Sequence, residues 1–294
     1  MREILVIGGS SFVASEALKG LSTSSCKITA PSKGDLDIQN VESIRGYTKD
    51  ADAVINFVAY TNVKAATTSQ SGEAWKLNVE GTANIASVCK SEGKFLIHVS
   101  TDGVFPITGD FKGLHSENET INDDPTLVSA YGYTKLMGER EIDRCGTKAA
   151  ILRIAYPFGN IAFPEKDYVT KLIRSVKLGY ALFSDQEFTP TYIRSLPKVI
   201  GKLLENELSG VFHWVCRGLT TPYKVGMFIN EKLNLGHSIK KGSLVEFEKT
   251  NGKQPYARFG GLSTEITEGK LHLVPPTWQE AVSDFIDRSL PELA

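Results

Sequence analysis

Short apolar segments alternate with segments of helical periodicity along the first half of the chain, and this order constrains the fold more than any other feature. Strands are predicted at Ile4–Ile7, Lys27–Ala30, Ala53–Val58, Phe95–Val99 and Ala149–Ile154. Helices are predicted at Ser11–Leu21, Glu73–Lys90 and Tyr131–Asp143. Strands that alternate with helices favour a parallel sheet covered on both faces. The sequence therefore predicts an α/β fold with a doubly wound parallel sheet.

The pattern loosens after Tyr156. Helices are predicted at Asp167–Leu178, Ser195–Glu205, Tyr223–Leu233 and Trp278–Ser289, and a short strand at Val211–Val215. We therefore predict a sheet domain over residues 1–156, to which later segments return, and a smaller mixed C-terminal lobe over residues 157–294. The polar segment between Phe105 and Ser129 is too long for an ordinary connection and is predicted to be a functional loop or lid.

Composition excludes several classes of partner. The 294 residues carry 33 basic and 34 acidic side chains, so charge gives no reason to expect a nucleic-acid or membrane-surface partner. No apolar stretch approaches the roughly 20 residues that span a bilayer, and no signal peptide is recognisable. The four cysteines are widely spaced and the five histidines show no metal-ligand spacing. We expect a cytoplasmic protein with free thiols and no metal.

The turn after the first predicted strand has the position of a dinucleotide-binding turn. Such a turn uses three glycines, for the tight turn, for the approach of the pyrophosphate and for helix packing. Here Gly8 is followed by Ser11 and Ala14 at the other two positions, with a spacing of three and three. Backbone N–H groups at the start of the helix could still bind phosphate. A plain strand–turn–helix without a ligand is an equally good interpretation of this stretch.

A second motif favours the functional interpretation. Tyr131 and Lys135 are four residues apart on one predicted helix and so project from the same face. An ammonium beside a phenol lowers the pKa of the phenol, which predicts a tyrosine able to exchange a proton. The strand at Phe95–Val99 is followed by Ser100 and Thr101, either of which could place a hydroxyl near the same substrate oxygen. An incidental Tyr/Lys pair on a solvated helix is the plain alternative.

Taken together, these blocks resemble those of the extended short-chain dehydrogenases/reductases, and more closely those of the dTDP-4-dehydrorhamnose reductase family. The resemblance covers nearly the whole chain. It is carried by the following stretches: GDLDIQN (34–40), DAVINFVAYTNVKAA (52–66), NVEGTANIA (78–86), STDGVF (100–105), YGYTKLMGE (131–139), LRIAYPFG (152–159), TPTYIRSL (189–196), GVFHWV (210–215) and PPTWQEAV (275–282). The resemblance implies a Rossmann-like dinucleotide-binding domain over residues 1–156 and a mainly substrate-binding lobe over residues 157–294.

The resemblance also implies roles for individual residues. Tyr131 would donate a proton to the sugar carbonyl, Thr101 would hydrogen-bond that oxygen, and Lys135 would tune Tyr131 and hold the nicotinamide ribose. Asn78 would order the hydrogen bonds of the site. The pyrophosphate turn would use Gly8, Ser11, Phe12 and Val13. The adenine would be flanked by Asp37 and Ile38, and the ribose lined by Ala59, Tyr60 and Thr61. The substrate would contact Thr101, Asp102, Tyr131, Tyr156 and Arg258.

The chain departs from the family pattern mainly in the substrate pocket. Gly103 stands where the family usually has tyrosine, and Tyr156 replaces a common tryptophan. The segment that begins at Lys64 lacks the usual carboxylates. Arg153 is interpreted as structural. The match is therefore better for the cofactor and proton-transfer residues than for the sugar.

The stretch from Thr29 to Gly34 contains no carboxylate that could hold the ribose 2′-OH of NAD. Ser32 and Lys33 could instead meet a 2′-phosphate, so NADP is preferred over NAD; an ordinary turn lysine is the alternative.

The resemblance predicts NAD(P)H-dependent reduction of the 4-keto group of a nucleotide-diphosphate 6-deoxy sugar. Two alternatives stay open. The first is a non-catalytic binding subunit, because the regulatory beta subunit of methionine adenosyltransferase resembles the same family. The second is a nucleotide-sugar epimerase or dehydratase. The sequence also leaves a homodimer open.

Overall fold

A computed structural model describes residues 2–21, 26–70, 72–107 and 114–293. Six parallel strands form one sheet in the order β2-β1-β3-β4-β5-β7. They span β1 (Arg2–Ile7), β2 (Cys26–Thr29), β3 (Ala53–Asn56), β4 (Phe95–Thr101), β5 (Ala149–Ile154) and β7 (Gly210–His213). The two short strands β6 (Leu182–Phe183) and β8 (Lys241–Gly242) pair separately. The predicted α/β fold with a doubly wound parallel sheet is confirmed.

Helices cover both faces of the six-stranded sheet. Their bounds are α1 (Phe12–Leu21), α2 (Val41–Thr48), α3 (Glu73–Trp75), α4 (Gly81–Ser91), α5 (Ala130–Cys145), α6 (Tyr168–Lys177), α7 (Leu196–Asn206), α8 (Pro222–Lys232), α9 (Leu244–Asn251), α10 (Glu265–Leu271) and α11 (Trp278–Leu293). Alternate residues of β1 serve opposite faces, because successive side chains of a strand point to opposite sides. Ile4 and Val6 pack in the core beneath α1 and α7, whereas Leu5 and Ile7 pack beneath α2, α4 and α5.

The second half of the chain packs both against the sheet and in a cluster of its own. Helices α6, α8 and α11 surround a separate apolar cluster that includes Phe158, Phe188 and Phe285. Strand β7 pairs with β5, and α7 packs on α1. The later segments thus complete the sheet, while the boundary at residue 156 stays a prediction.

Three helices were not predicted from the sequence: α2, α9 and α10. Two of them begin at side-chain caps that could have been recognised. The Asn40 side chain accepts hydrogen bonds from the N–H groups of Glu42 and Ser43, and the Ser243 hydroxyl accepts one from Glu246. Their weak apolar periodicity hides them, since α2 buries only Ile44 and Thr48.

The predicted lid falls partly outside the described residues, at 108–113. Its later part is bound to residues 261–263, because the His115 N–H donates to the Gly261 carbonyl and the His115 carbonyl accepts from the Ser263 N–H. A lid function stays a prediction.

Within the described ranges, no helix is both long and apolar enough to cross a membrane. The same ranges contain no group of three His, Cys, Asp or Glu side chains placed to hold a metal ion. All four cysteines are free, as their spacing predicted.

Candidate active site

The end of β4 and the beginning of α5 lie against each other. A single turn of 3₁₀-helix, Asp102–Val104, follows Thr101, and the Ser129 hydroxyl caps α5 by accepting from the Gly132 N–H at 3.0 Å. A Cβ atom on Gly132 would lie 1.9 Å from the Gly103 carbonyl oxygen. Only glycine permits this approach, which brings the strand end to the first turn of α5.

Thr101, Asp102 and Tyr131 form one cluster at this junction. The Thr101 hydroxyl donates to the Asp102 carboxylate at 3.0 Å and accepts from the Gly103 N–H at 3.0 Å. Burial raises the pKa of Asp102 to about 6, although its hydrogen bond with Thr101 acts in the opposite direction. Ser100, the alternative hydroxyl, donates instead to the buried Glu139. Thr101 is therefore the hydroxyl that accompanies Tyr131.

Tyr131 is held in its protonated form. Burial raises the pKa of its phenol, the negative charge of Asp102 raises it further, and a hydrogen bond with Thr101 opposes both effects. Burial and Asp102 set the net direction of this shift, and the tuning of Tyr131 by Lys135 stays a prediction. A protonated phenol at neutral pH suits a proton donor.

Lys135 lies below Tyr131, against the sheet. Its side chain is 1% exposed, and its Nζ lies 3.0 Å from His98 Nε2 and 2.9 Å from the Val99 carbonyl oxygen, to which it donates. Burial lowers the pKa of Lys135 to about 8, and the negative charge of Glu139 opposes that shift. The helical spacing was predicted correctly, but it did not indicate that the amine turns toward a buried histidine.

Asn78 connects the loop after β3 to α5. Its Oδ1 accepts from the Tyr60 N–H at 2.8 Å and its Nδ2 donates to the Thr134 hydroxyl at 2.9 Å. Asn78 lies in a π-helical segment, Lys76–Glu80, between α3 and α4. Such single-turn π segments are frequent at functional sites. These contacts suit the ordering role that the resemblance implies for Asn78.

The turn after β1 has the geometry of a tight βα turn. Gly8 adopts a φ of +80°, and a Cβ there would lie 2.9 Å from the Val58 side chain. The Ser11 hydroxyl accepts from the Ala14 N–H at 3.3 Å, so this serine caps α1. Phe12 is 5% exposed and packs in the core, which leaves only its backbone available to a ligand. Val13 is partly buried beside it.

The predicted adenine and ribose residues lie after β2 and β3. The Ser32 hydroxyl donates to Asp35 at 2.6 Å, and Lys33 is exposed. Asp37 accepts from the Gln39 N–H at 2.9 Å, while the Ile38 side chain is buried in the core. Ala59 and Tyr60 are partly buried, and Thr61 is exposed.

The predicted substrate residues differ in their surroundings. Tyr156 has a φ of +41° and packs against Tyr168 and Phe188, with ring centroids 4.9 and 4.6 Å away. Burial and then the charge of Asp102 raise the pKa of Tyr156, so the Tyr156 phenol lies within the electrostatic reach of Asp102. Arg258 is exposed, and its guanidinium lies over Phe259, 4.8 Å from the ring centroid.

Two features of the site were not predicted from the sequence: an aromatic wall around Tyr156, and a cleft lined by Lys64 and Lys253. Tyr168 and Phe188 complete the wall around Tyr156, but nothing in their sequence spacing indicated it. An open cleft of about 460 Å³ lies at the N-terminus of α5 and is lined by Val63, Lys64, Ile107, Ser129, Ala130, Lys253, Gln254 and Pro255. The loop after β3 and residues 253–255 thus meet around one opening.

Arg153 has a structural role, as predicted. Its guanidinium donates to the buried Glu139 carboxylate through Nη2 at 2.6 Å and Nε at 3.1 Å. Both side chains are almost fully buried, so each supplies the partner that the other charge needs.

The sequence model of the RmlD substrate binding domain family matches residues 1–290. The dTDP-4-dehydrorhamnose reductase of Mycobacterium tuberculosis is 26% identical over 266 residues, which cover 87% of this chain and 86% of that protein. Methionine adenosyltransferase 2 subunit beta of Danio rerio is 33% identical over 177 residues, 56% of this chain and 51% of that protein. The crystal structure of a dTDP-4-dehydrorhamnose reductase from Clostridium acetobutylicum superposes with a TM-score of 0.85 and 27% identity, and covers 98% of this chain and 99% of that chain.

Proposed function

This chain belongs to the RmlD substrate binding domain family, and we propose that it catalyses the NAD(P)H-dependent reduction of the 4-keto group of a nucleotide-diphosphate 6-deoxy sugar. The observation that carries the proposal is the cluster of Thr101, Asp102 and the protonated Tyr131 at the carboxyl end of β4. This edge of a parallel sheet is where α/β proteins bind ligands.

The residues after β1 fit a dinucleotide. The backbone N–H groups of Phe12 and Val13 lie in the first turn of the ten-residue helix α1, and a helix N-terminus favours an anionic group. In the cap, the Ser11 hydroxyl oxygen is the acceptor, so the hydroxyl proton remains available to donate to a phosphate oxygen. The change from glycine to serine is therefore compatible with a pyrophosphate at this turn. When bound, the reduced nicotinamide would supply the hydride.

The protein's own residues would handle the proton. Tyr131 would give its phenolic proton to the oxygen of the sugar carbonyl, and the buried setting keeps that proton in place until the substrate arrives. The Thr101 hydroxyl would turn from Asp102 toward the same oxygen. Lys135 and Asn78 would hold the helix and loop around them. Alignment of donor and acceptor in this way contributes much of the rate enhancement.

Lys33 supports a preference for NADP over NAD in this proposal. It is the exposed cation that follows β2, whereas the Ser32 hydroxyl is engaged by Asp35. The substrate partner is a nucleotide sugar, and Tyr156, Asp102 and Arg258 are its proposed contacts. A cytoplasmic location is proposed from the four widely spaced, free cysteines, and a homodimer stays an open prediction.

The proposal is tested by two substitutions on α5. Tyr131→Phe removes one oxygen, so it should preserve the fold and cofactor binding while lowering turnover by roughly 10²–10⁴-fold. Lys135→Met should lower turnover and also weaken cofactor binding, because Lys135 is proposed to contact the nicotinamide ribose. The assay is loss of NADPH absorbance with a panel of 4-keto nucleotide sugars, run beside a cofactor-binding titration for each variant.

The same assay distinguishes the enzyme from a binding subunit. If the unsubstituted protein binds cofactor but reduces no keto-sugar nucleotide, the reductase proposal fails. If substrate is reduced but Tyr131→Phe turns over normally, Tyr131 is not the acid.

A further inference from the structure

A loop after β5 packs against the first turns of helix α1. Asn160 lies in this loop and is 5% exposed. Its side chain reaches Ser15 of α1, with Nδ2 3.0 Å from the Ser15 hydroxyl oxygen, although the two residues are 145 positions apart. The loop after β5 therefore contacts the helix that begins at the predicted pyrophosphate turn.

Backbone groups fix the direction of the hydrogen bonds at this contact. The Ala162 N–H donates to Asn160 Oδ1 at 3.1 Å, and a backbone N–H can only donate. The Asn160 amide therefore turns its Nδ2, which also can only donate, toward Ser15. Because the Ser15 hydroxyl oxygen accepts this bond, its single proton is left for the Phe12 carbonyl oxygen, 3.1 Å away. Asn160, Ser15 and Phe12 thus form one series of hydrogen bonds with a fixed direction.

The loop is held against α1 at a second point. The buried Asp167 carboxylate accepts from the N–H groups of Gly159 at 2.6 Å and Asn160 at 3.0 Å. The Gly159 carbonyl accepts from Arg194 Nε at 2.9 Å, and the same nitrogen lies 3.5 Å from the buried Glu16 carboxylate. Two consecutive residues of the loop are therefore connected to two consecutive residues of α1.

The series ends at a peptide that carries a free donor. The Phe12 carbonyl and the Val13 N–H belong to one planar peptide and point in opposite directions. The Ala14 N–H is occupied by the Ser11 hydroxyl. Among the residues that the structure describes, none accepts a hydrogen bond from the Phe12 or Val13 N–H. A restraint on the Phe12 carbonyl therefore also restrains the free Val13 N–H in the first turn of α1.

We propose that Asn160 is a positioning residue for the pyrophosphate turn: through Ser15 it fixes the peptide between Phe12 and Val13, whose N–H then meets a phosphate oxygen of the dinucleotide. This inference rests on the proposed function, because that function supplies the dinucleotide. A pyrophosphate is the kind of anionic group that free N–H donors at a helix N-terminus favour. Asn160 touches no part of the cofactor itself and acts through the Ser15 hydroxyl.

The first experiment measures dinucleotide binding and needs no sugar substrate. Asn160→Ala should weaken NADPH and NADH by the same factor, about three- to tenfold, which is the range of one neutral hydrogen bond. Fluorescence titration gives the dissociation constants, and thermal unfolding reports separately on stability. Asn206→Ala is the matched control and should bind both dinucleotides normally, because that amide donates to the Lys202 carbonyl at the exposed end of α7.

The second experiment tests the route through Ser15. Ser15→Ala removes the middle hydroxyl, keeps a good helix former and should cause the same loss of affinity. The double variant Asn160→Ala/Ser15→Ala should lose no more than either single variant, because both changes break the same series. Ser91→Ala is the matched control, because its hydroxyl donates to the Val88 carbonyl three residues earlier, as the Ser15 hydroxyl does to Phe12.

Unchanged dissociation constants in Asn160→Ala overturn the proposal, even if the unfolding temperature falls, because Asn160 would then serve stability alone. Additive losses in the double variant also overturn it, since Asn160 would act without Ser15. Should Asn160→Ala not fold, normal binding of both dinucleotides by Ser15→Ala contradicts the proposal. An unsubstituted protein that binds NADPH but reduces no keto-sugar nucleotide refutes the reductase and leaves this test standing, whereas one that binds neither dinucleotide overturns both.

Discussion

At Asp102, burial disfavours the charged form of the carboxylate. The pKa rises from 3.8 to about 6, so the folded state binds this proton more tightly than the unfolded state does. The resulting stability is fully present below about pH 4 and is lost as the pH rises through about 6.

Asp102→Asn should therefore be more stable than the unsubstituted protein at pH 7, by about 1–3 kcal/mol. Its free energy of unfolding should also decline less between pH 4 and pH 6 than that of the unsubstituted protein. Urea unfolding across pH 4 to pH 8 measures this, with the exposed Asp50→Asn as the control. Parallel curves for Asp102→Asn and the unsubstituted protein would show that burial does not disfavour the Asp102 charge.

Lys33 should determine the choice between the two dinucleotides. Lys33→Ala removes a charge-assisted hydrogen bond to a 2′-phosphate, worth roughly 1.5–3 kcal/mol, so NADPH should bind about tenfold or more weakly. NADH, which lacks that phosphate, should bind as before. Fluorescence titration of both cofactors gives the dissociation constants, and the exposed Lys49→Ala serves as the control. An equal loss for NADH would mean that Lys33 does not contact the phosphate.

At the scale of single elements, α5 approaches its neighbours through glycine. A Cβ on Gly138 would lie 2.2 Å from the Asn78 carbonyl oxygen, whereas a Cβ on Gly201 of α7 would meet nothing within 4 Å. Gly138→Ala should destabilise the fold by roughly 1–3 kcal/mol through overpacking.

Gly201→Ala is the matched substitution and should stabilise the folded protein by up to about 1 kcal/mol, because alanine has a higher helix propensity than glycine. Urea or thermal unfolding compares the two variants. If Gly138→Ala is as stable as Gly201→Ala, then α5 can move away from Asn78 without cost.

Helix α5 also shows what its sequence could and could not predict. Residues 131–143 have clear helical periodicity, and the structure extends the helix to Ala130–Cys145. The four-residue spacing of Tyr131 and Lys135 fixes only their shared face. It cannot predict that His98, distant in sequence, attracts the Lys135 amine, because that contact depends on the packing of α5 on β4.

At the scale of the whole molecule, the alternation of strands and helices was enough to predict the parallel sheet. The turn at Gly8 was also predicted, since its spacing is local in the sequence. The cleft between the loop after β3 and residues 253–255 was not predicted, because these segments are about 190 residues apart and meet only in the folded chain. Residues that approach from distant parts of the sequence leave no periodic signal.

The last prediction concerns the binding of a substrate in this cleft. Lys64 and Lys253 line its two sides, both exposed, and a nucleotide-diphosphate sugar carries negative charge that either ammonium could contact. Lys253→Ala should raise the KM for the keto-sugar nucleotide by about tenfold or more, on the basis of roughly 1.5–3 kcal/mol for one charge-assisted bond, and should leave the KM for NADPH unchanged. Lys64→Ala should act in the same direction, and the exposed Lys198→Ala on α7 should have no effect. Steady-state kinetics with each reactant varied in turn separates these outcomes. A rise in the KM for NADPH alone would place the cofactor, rather than the sugar nucleotide, in this cleft.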